Sequence, residues 1–397
     1  MSPARPDVGG FGIELPRDQK NVTLRTKVGE VQLTNLDKPF WPELGITKGD
    51  LLQYYADVAP LLLPHLTERP MVMKRYPHGW NGDFFFMKRT PDYAPDFIRT
   101  CRVHHDSGNV IDFPLVNDVA TLLWVINLGC IDLNPWYSRC DDTDRPDVLH
   151  FDMDPVPGAD FTKVRQAALI VAEALDALGM TSFPKTTGSK GIHIYVPIVR
   201  GPTQKDVWTF AKSLAQILDQ RRPDVVTAQY RKAKRPPGRV LVDYNQNAWG
   251  QTLAGVYSVR PTPRATVSTP VTWDEVEAGI DIEDFRIDNV RERFAEVGDL
   301  WQPLTQQKGR FDLTRVMGDI GRPTSRTSSY PSGAPREPTR RERNAEPAPG
   351  KQAARKPTAK KPTSKKPTTK KPTTKKATNA AKKAAAKKPV STKRSRS

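Results

Sequence analysis

His150-Phe151-Asp152-Met153-Asp154-Pro155 sets two carboxylates two residues apart inside an apolar, β-forming run. On a strand, side chains alternate between faces, so Asp152 and Asp154 project to one side of a sheet while Phe151 and Met153 project to the other. Like charges held this close repel, and one tends to stay protonated unless a cation neutralises the pair. The stretch therefore reads as part of a divalent-cation site. A third acid comes from Arg239-Val240-Leu241-Val242-Asp243-Tyr244, an apolar strand ending in one carboxylate and followed by Asn245, Gln246 and Asn247. Three carboxylates suit Mg²⁺ or Mn²⁺, hard ions that take oxygen ligands, and no His/Cys cluster argues for zinc.

Between the two acidic strands lies Thr186-Thr187-Gly188-Ser189-Lys190-Gly191-Ile192-His193-Ile194-Tyr195-Val196-Pro197. Two glycines, hydroxyls and a lysine precede an alternating strand, a turn of the kind that exposes backbone N–H groups around an anion. Ser189 can donate a hydrogen bond, Lys190 can neutralise charge, and His193 can reach a triphosphate from the first turn of the strand. The G-x-x-x-x-G-K spacing of a Walker A loop is missing, and a strand rather than a helix follows.

Working outward, Leu51, Leu52, Tyr55, Val58, Ala59 and Leu62 follow helical spacing from an N-cap at Thr47, with Pro60 and Pro64 expected to limit the helix. Further helices are predicted over about 162–178, ending at Gly179, and about 203–221. Short β-forming runs cover 148–153, 192–196 and 240–244. The order strand, helix, strand, helix, strand predicts an α/β (α+β) core whose central sheets are flanked by helices.

Charge divides the 397 residues unevenly: 351–397 holds 18 Lys/Arg, no acid and no aromatic, so the whole +18 resides there and the preceding 350 residues are neutral. Such a segment buries too little apolar surface to offset its chain entropy, and it reads as a disordered, Lys-rich arm for a polyanion. From Lys360 a Lys-Lys-Pro-Thr-Ser/Thr unit repeats, with proline blocking a continuous helix. Cys101, Cys130 and Cys140 form no C-x-x-C pair, and three cannot pair completely, so free thiols in a reducing cytoplasm are expected. The most apolar stretch, 116–133, is interrupted by Asn117, Asp118, Asn127, Gly129 and Asp132, and no membrane or export signal is read. The expected location is cytoplasmic, in association with the nucleoid.

Taken together, Asp152-x-Asp154-Pro155, Gly188-Ser189-Lys190-Gly191-x-His193 and Val242-Asp243 with Gln246-Asn247 resemble the archaeo-eukaryotic primase superfamily, above all the polymerase domain of bacterial ligase D and its stand-alone relatives. The resemblance covers roughly 30–305. It includes Asn35-Leu36-Asp37-Lys38, Arg69-Pro70, Lys74-Arg75, Phe85-Phe86-Met87-Lys88, Asn134-Pro135-Trp136 and Tyr257-Ser258-Val259-Arg260. It implies a primase-like core and template-directed addition of nucleotides, often ribonucleotides, to a 3′-hydroxyl at gaps or broken DNA ends, with manganese preferred in many members. By the same resemblance Asp152, Asp154 and Asp243 hold the metals. Ser189, Lys190, His193 and Arg260 hold the incoming NTP or dNTP with Lys74 nearby, and Gln246 belongs to the same nucleotide site. Phe86 stacks on base or sugar, while Asn35, Lys38 and Lys48 match a pocket for a downstream 5′-phosphate. One departure is Asn134, where many relatives carry a histidine: it can hydrogen-bond but not carry charge.

The basic segment 229–239, with Arg231, Lys232, Lys234, Arg235 and Arg239, has the composition of a loop beside the duplex. The expected organisation is an N-terminal extension (1–29), a catalytic domain (30–310), a linker (311–350) and the basic tail (351–397). Two other readings compete: a nucleoid-packaging protein without chemistry, and a ligase-type nucleotidyltransferase, against which stands the absence of any Lys-x-Asp-Gly tetrapeptide. No ligase or phosphoesterase module is recognisable in the sequence, so a role in non-homologous end joining calls for separate ligase and repair partners.

Overall fold

The computed structural model describes residues 12–317. Residues 318–350 of the expected linker and the Lys-rich tail lie outside the described residues.

The larger sheet has five strands in the order Phe183–Thr186, Ile192–Pro197, Val148–Pro155, Val240–Asp243 and Val226–Thr227. All neighbours are antiparallel except the last pair. The strand bearing Asp152 and Asp154 is thus the middle one, and its alternation buries Phe151 and Met153 completely. Helices pack against this strand, α3 (Phe161–Asp176) and α4 (Gln204–Arg221) among them. Each starts where a side chain satisfies an otherwise unpaired N–H: Asp160 caps α3, and Thr203 with Asp206 forms a reciprocal capping box on α4.

A smaller sheet joins Phe85–Met87, Met71–Arg75 and Cys130–Pro135. The apolar stretch 116–133 supplies its last strand together with α2 (Val119–Asn127). No described helix is long and apolar enough to cross a membrane.

Two expectations change. Helix α1 (Lys48–Leu66) has the expected Thr47 cap but continues through Pro60 and Pro64. Burial of Leu51, Leu52, Tyr54, Tyr55, Val58, Leu62 and Leu66 offsets the backbone bonds the prolines remove. Second, Cys101 and Cys140 are joined in a disulfide, with Cα atoms 5.6 Å apart, and only Cys130 is a free, buried thiol. The hairpin Thr100–His104/Val110–Pro114 lies against the chain leaving the smaller sheet, a proximity that spacing in sequence does not report. Contacts also run beyond residues 30 and 310. Strand Val22–Arg25 pairs with Glu30–Leu33, while Phe311 bridges to Ile198 and Leu313 is buried.

Candidate active site

Strand register builds the site. Asp152 stands directly opposite Asp243 on one neighbouring strand and His193 on the other, and His193 stands opposite Lys185. Directly paired residues share a face, so Lys185, His193, Asp152 and Asp243 form one row across four strands, with Asp154 one repeat along the same face. Oxygens of Asp152, Asp154 and Asp243 lie within 4.8 Å of one another. Asp152 and Asp243 are buried and Asp154 is half-buried. His193 Nε2 is 3.2 Å from Asp152 Oδ1. Asp243 accepts from the Asn245 N–H (2.9 Å) and from Gln246 Nε2 (3.1 Å). The Asn247 amide donates to His150 O and accepts from His150 N–H, which ties this turn to the middle strand.

The acids are held in an unfavourable state. The Asp152 charge, then burial, then Asp243 push the Asp154 carboxyl above its ordinary range. Burial raises Asp152, opposed by Lys185 and Arg260, and burial followed by Asp152 raises Asp243. Burial holds His193 well below the ordinary imidazole range, with Lys185 and Arg260 adding, so its ring is neutral. Asp152 Oδ1 is buried, with His193 Nε2 3.2 Å away. An all-oxygen set of three crowded, largely buried acids fits a divalent cation.

The glycine-flanked turn is locked beside these acids. A Cβ on Gly191 would lie 2.1 Å from Met153 O, and one on Gly188, at φ +63°, would lie 2.8 Å from the Val267 carbonyl carbon. The turn does not offer its N–H groups outward as the sequence suggested. Those of Ser189, Lys190 and Gly191 all point to Thr187 Oγ1, at 3.1, 3.1 and 3.0 Å. A threonine hydroxyl just before a tight turn competes for nearby backbone donors. What the turn presents are the exposed Ser189 and Lys190 side chains.

Arg260 hydrogen-bonds Thr187 O through Nη1, and its Nε is 3.5 Å from Asp132 Oδ2. Lys74 Nζ reaches the same oxygen at 4.0 Å and sits 4.4 Å from the Phe84 ring centroid. Phe86 pairs in register with Lys74 and is exposed. Buried Asn134 donates through Nδ2 to Asp132 O at 3.3 Å. Lys74, Asn134 and Arg260 therefore converge on Asp132. Gln246 holds Asp243, and His193 faces Asp152.

At the start of α1, Lys38 and Lys48 each donate inward: Lys38 Nζ to Pro77 O (2.6 Å), Lys48 Nζ to Thr34 O (2.6 Å) and Asn127 Oδ1 (2.7 Å). Burial, with Lys38 and Arg75 adding, lowers the Lys48 ammonium to about 8. Asn35 is exposed at φ 56°.

Three charged residues escaped the sequence reading. Lys185 is fully buried, its ammonium donating to Ala254 O at 3.0 Å and to Ser268 Oγ. Asp132 is 1 % exposed; its one signal was an acid alternating with Ile131 and Leu133. Arg235, read only as part of a basic loop, acts on Asp154 and Asp243 with its charge.

Residues 47–301 match the family model of the LigD primase-polymerase domain. The chain belongs to this family. As a LigD-type primase-polymerase chain it is a member of a nucleotidyltransferase family. It is 34 % identical over 276 residues to the multifunctional non-homologous end joining protein LigD of Mycolicibacterium smegmatis, covering 69 % of this chain and 36 % of that protein. It is 33 % identical over 270 residues to the bifunctional LigD of Bacillus subtilis, covering 68 % and 43 %. The chain thus spans less than half the length of these LigD relatives. Its fold matches the polymerase domain from Mycobacterium tuberculosis ligase D, solved in complex with DNA, at TM-score 0.65 and 32 % identity, covering 69 % of this chain and 98 % of that domain.

Proposed function

We propose that this chain is a primase-polymerase of DNA end joining, which adds ribo- or deoxyribonucleotides to a 3′-hydroxyl at gaps or broken duplex ends under template direction. The observation that carries this reading is the convergence of Asp152, Asp154 and Asp243 within 4.8 Å, beside the Gly188–Gly191 turn and the Lys74/Arg260 pair. Asp152, Asp154 and Asp243 would hold Mg²⁺ or Mn²⁺. Bound there, the cation supplies charge that eases formation of a nucleophilic 3′-oxygen and departure of pyrophosphate. The chain's own groups do the rest by position and charge. Gln246 and the Asn245 N–H fix Asp243, while neutral His193 flanks Asp152. Lys74, Ser189, Lys190 and Arg260 receive the triphosphate, Phe86 offers its exposed ring to base or sugar, and Asn134 lines the same side.

Asn35, Lys38 and Lys48 would meet a downstream 5′-phosphate if the two ammonium groups leave their present carbonyl partners, and the basic loop with Arg235 would track the duplex. The test is extension of gapped duplexes, with and without a 5′-phosphate, using both nucleotide types with Mg²⁺ and with Mn²⁺. Asp152→Ala is expected to abolish extension while a gel shift retains DNA binding. Near-normal extension by that variant rejects the site, and a covalent protein–nucleotide adduct in place of extension supports a ligase-type reaction instead.

A further inference from the structure

Lys74 and Arg260 come from distant parts of the chain, yet both face one oxygen of a single buried acid, Asp132 Oδ2, at 4.0 and 3.5 Å. Asp132 is 1 % exposed, and its other oxygen, Oδ1, is buried with no hydrogen-bond partner. Placing a carboxylate there costs desolvation energy, which two cations at this distance offset. Apart from Asp132, the Lys74 ammonium meets aromatic faces, which favour its charge without neutralising it, and one like charge. The Tyr76, Phe84 and Phe86 rings lie 5.2, 4.4 and 6.0 Å away, and Arg260 repels it. Burial lowers the Lys74 pKa, Asp132 opposes that shift, and Arg260 adds to it.

We propose that Asp132 is a positioning residue for nucleotide binding: it keeps the Lys74 ammonium charged and fixes it with Arg260 against the triphosphate pocket. The proposal rests on the reading of Lys74 and Arg260 as triphosphate ligands. An ammonium stripped of its counter-charge in a half-dry aromatic corner loses its proton at lower pH, whereas a guanidinium in the same place does not.

The experiment measures the KM for the incoming nucleotide between pH 7 and pH 9 in the full chain, for wild type, Asp132→Asn, Lys74→Arg and Asp132→Asn/Lys74→Arg. In Asp132→Asn the KM is expected to climb by about tenfold or more across this range relative to wild type, as the charge-assisted contact to phosphate is lost, with kcat at saturation changing less. In the double variant the extra slope disappears, because arginine at position 74 stays charged. A purely structural defect would move KM equally at every pH. A parallel pH profile for Asp132→Asn and wild type, or an extra slope that persists in the double variant, overturns the proposal. Absence of extension by wild type would instead reject the polymerase reading itself. If Asp132→Asn unfolds by circular dichroism, NMR of ¹³C-methylated lysines in the wild-type protein decides, with Lys74→Arg assigning the signal. A Lys74 amine charged through pH 8 supports the proposal, and one that titrates below pH 8 overturns it.

Discussion

Asp154→Asn is expected to stabilise the metal-free protein, against the usual direction of a substitution at a site residue. Three carboxylates with oxygens within 4.8 Å repel by about 3 kcal/mol per ionised pair at an effective dielectric of about 20. Asp154 is half-buried, so solvent screens much of this and about 2 kcal/mol remains as the gain from removing its charge. For a domain of this size that corresponds to a rise of about 3 °C in melting temperature.

The pH dependence has a definite sign. All three acids have folded-state pKa values raised above the ordinary range, so their favourable contribution is complete at low pH and is lost as pH rises through the folded values. In EDTA the variant should melt above wild type at pH 7.5, and the gap should close towards about pH 4, where isolated aspartates protonate. Adding Mn²⁺ should raise the wild-type melting temperature and leave the variant nearly unmoved. Scanning calorimetry or fluorimetry in EDTA and in Mn²⁺ at several pH values reads all of this. A variant that melts at or below wild type in EDTA at pH 7.5, or a gap independent of pH, would refute the crowding argument.

Gly191→Ala puts a methyl 2.1 Å from Met153 O, so the turn or the middle strand must shift, and melting should fall by the equivalent of about 2–3 kcal/mol together with a large loss of extension. Lys48→Met leaves Thr34 O without its donor and Asn127 Oδ1 with the Thr34 N–H alone, and should cost about 1–3 kcal/mol, whereas Lys38→Ala should leave melting nearly unchanged and reduce the preference for a 5′-phosphate in gap extension. Deleting residues 351–397 removes 18 bases and should flatten the dependence of DNA affinity on salt, measured by anisotropy titration, while leaving extension at saturating DNA intact.

Much of the site was legible because its signals are local. Alternation through Phe151, Asp152, Met153 and Asp154 assigns faces from sequence alone, and the run to Asp243 ends in an acid on the same logic. Thr47 reads as a cap for the same reason: the partner N–H is three residues away. The errors came where a distant or competing partner decides. Thr187 takes the N–H groups that glycine spacing seemed to leave for phosphate. Packing carries α1 past two prolines, and Cys101 meets Cys140 only after the Thr100–His104/Val110–Pro114 hairpin docks against the chain leaving the smaller sheet.

The amino-acid sequence by itself determined the three acids, the glycine-flanked turn, the helix starts and the confinement of net charge to the last residues, since each depends on neighbours a few positions away. Tertiary structure alone decided that Lys185, His193, Asp152 and Asp243 line up across four strands, and that Lys74 and Arg260 share Asp132. Strand register and burial set those meetings: a slip of one residue would turn every one of these side chains to the opposite face.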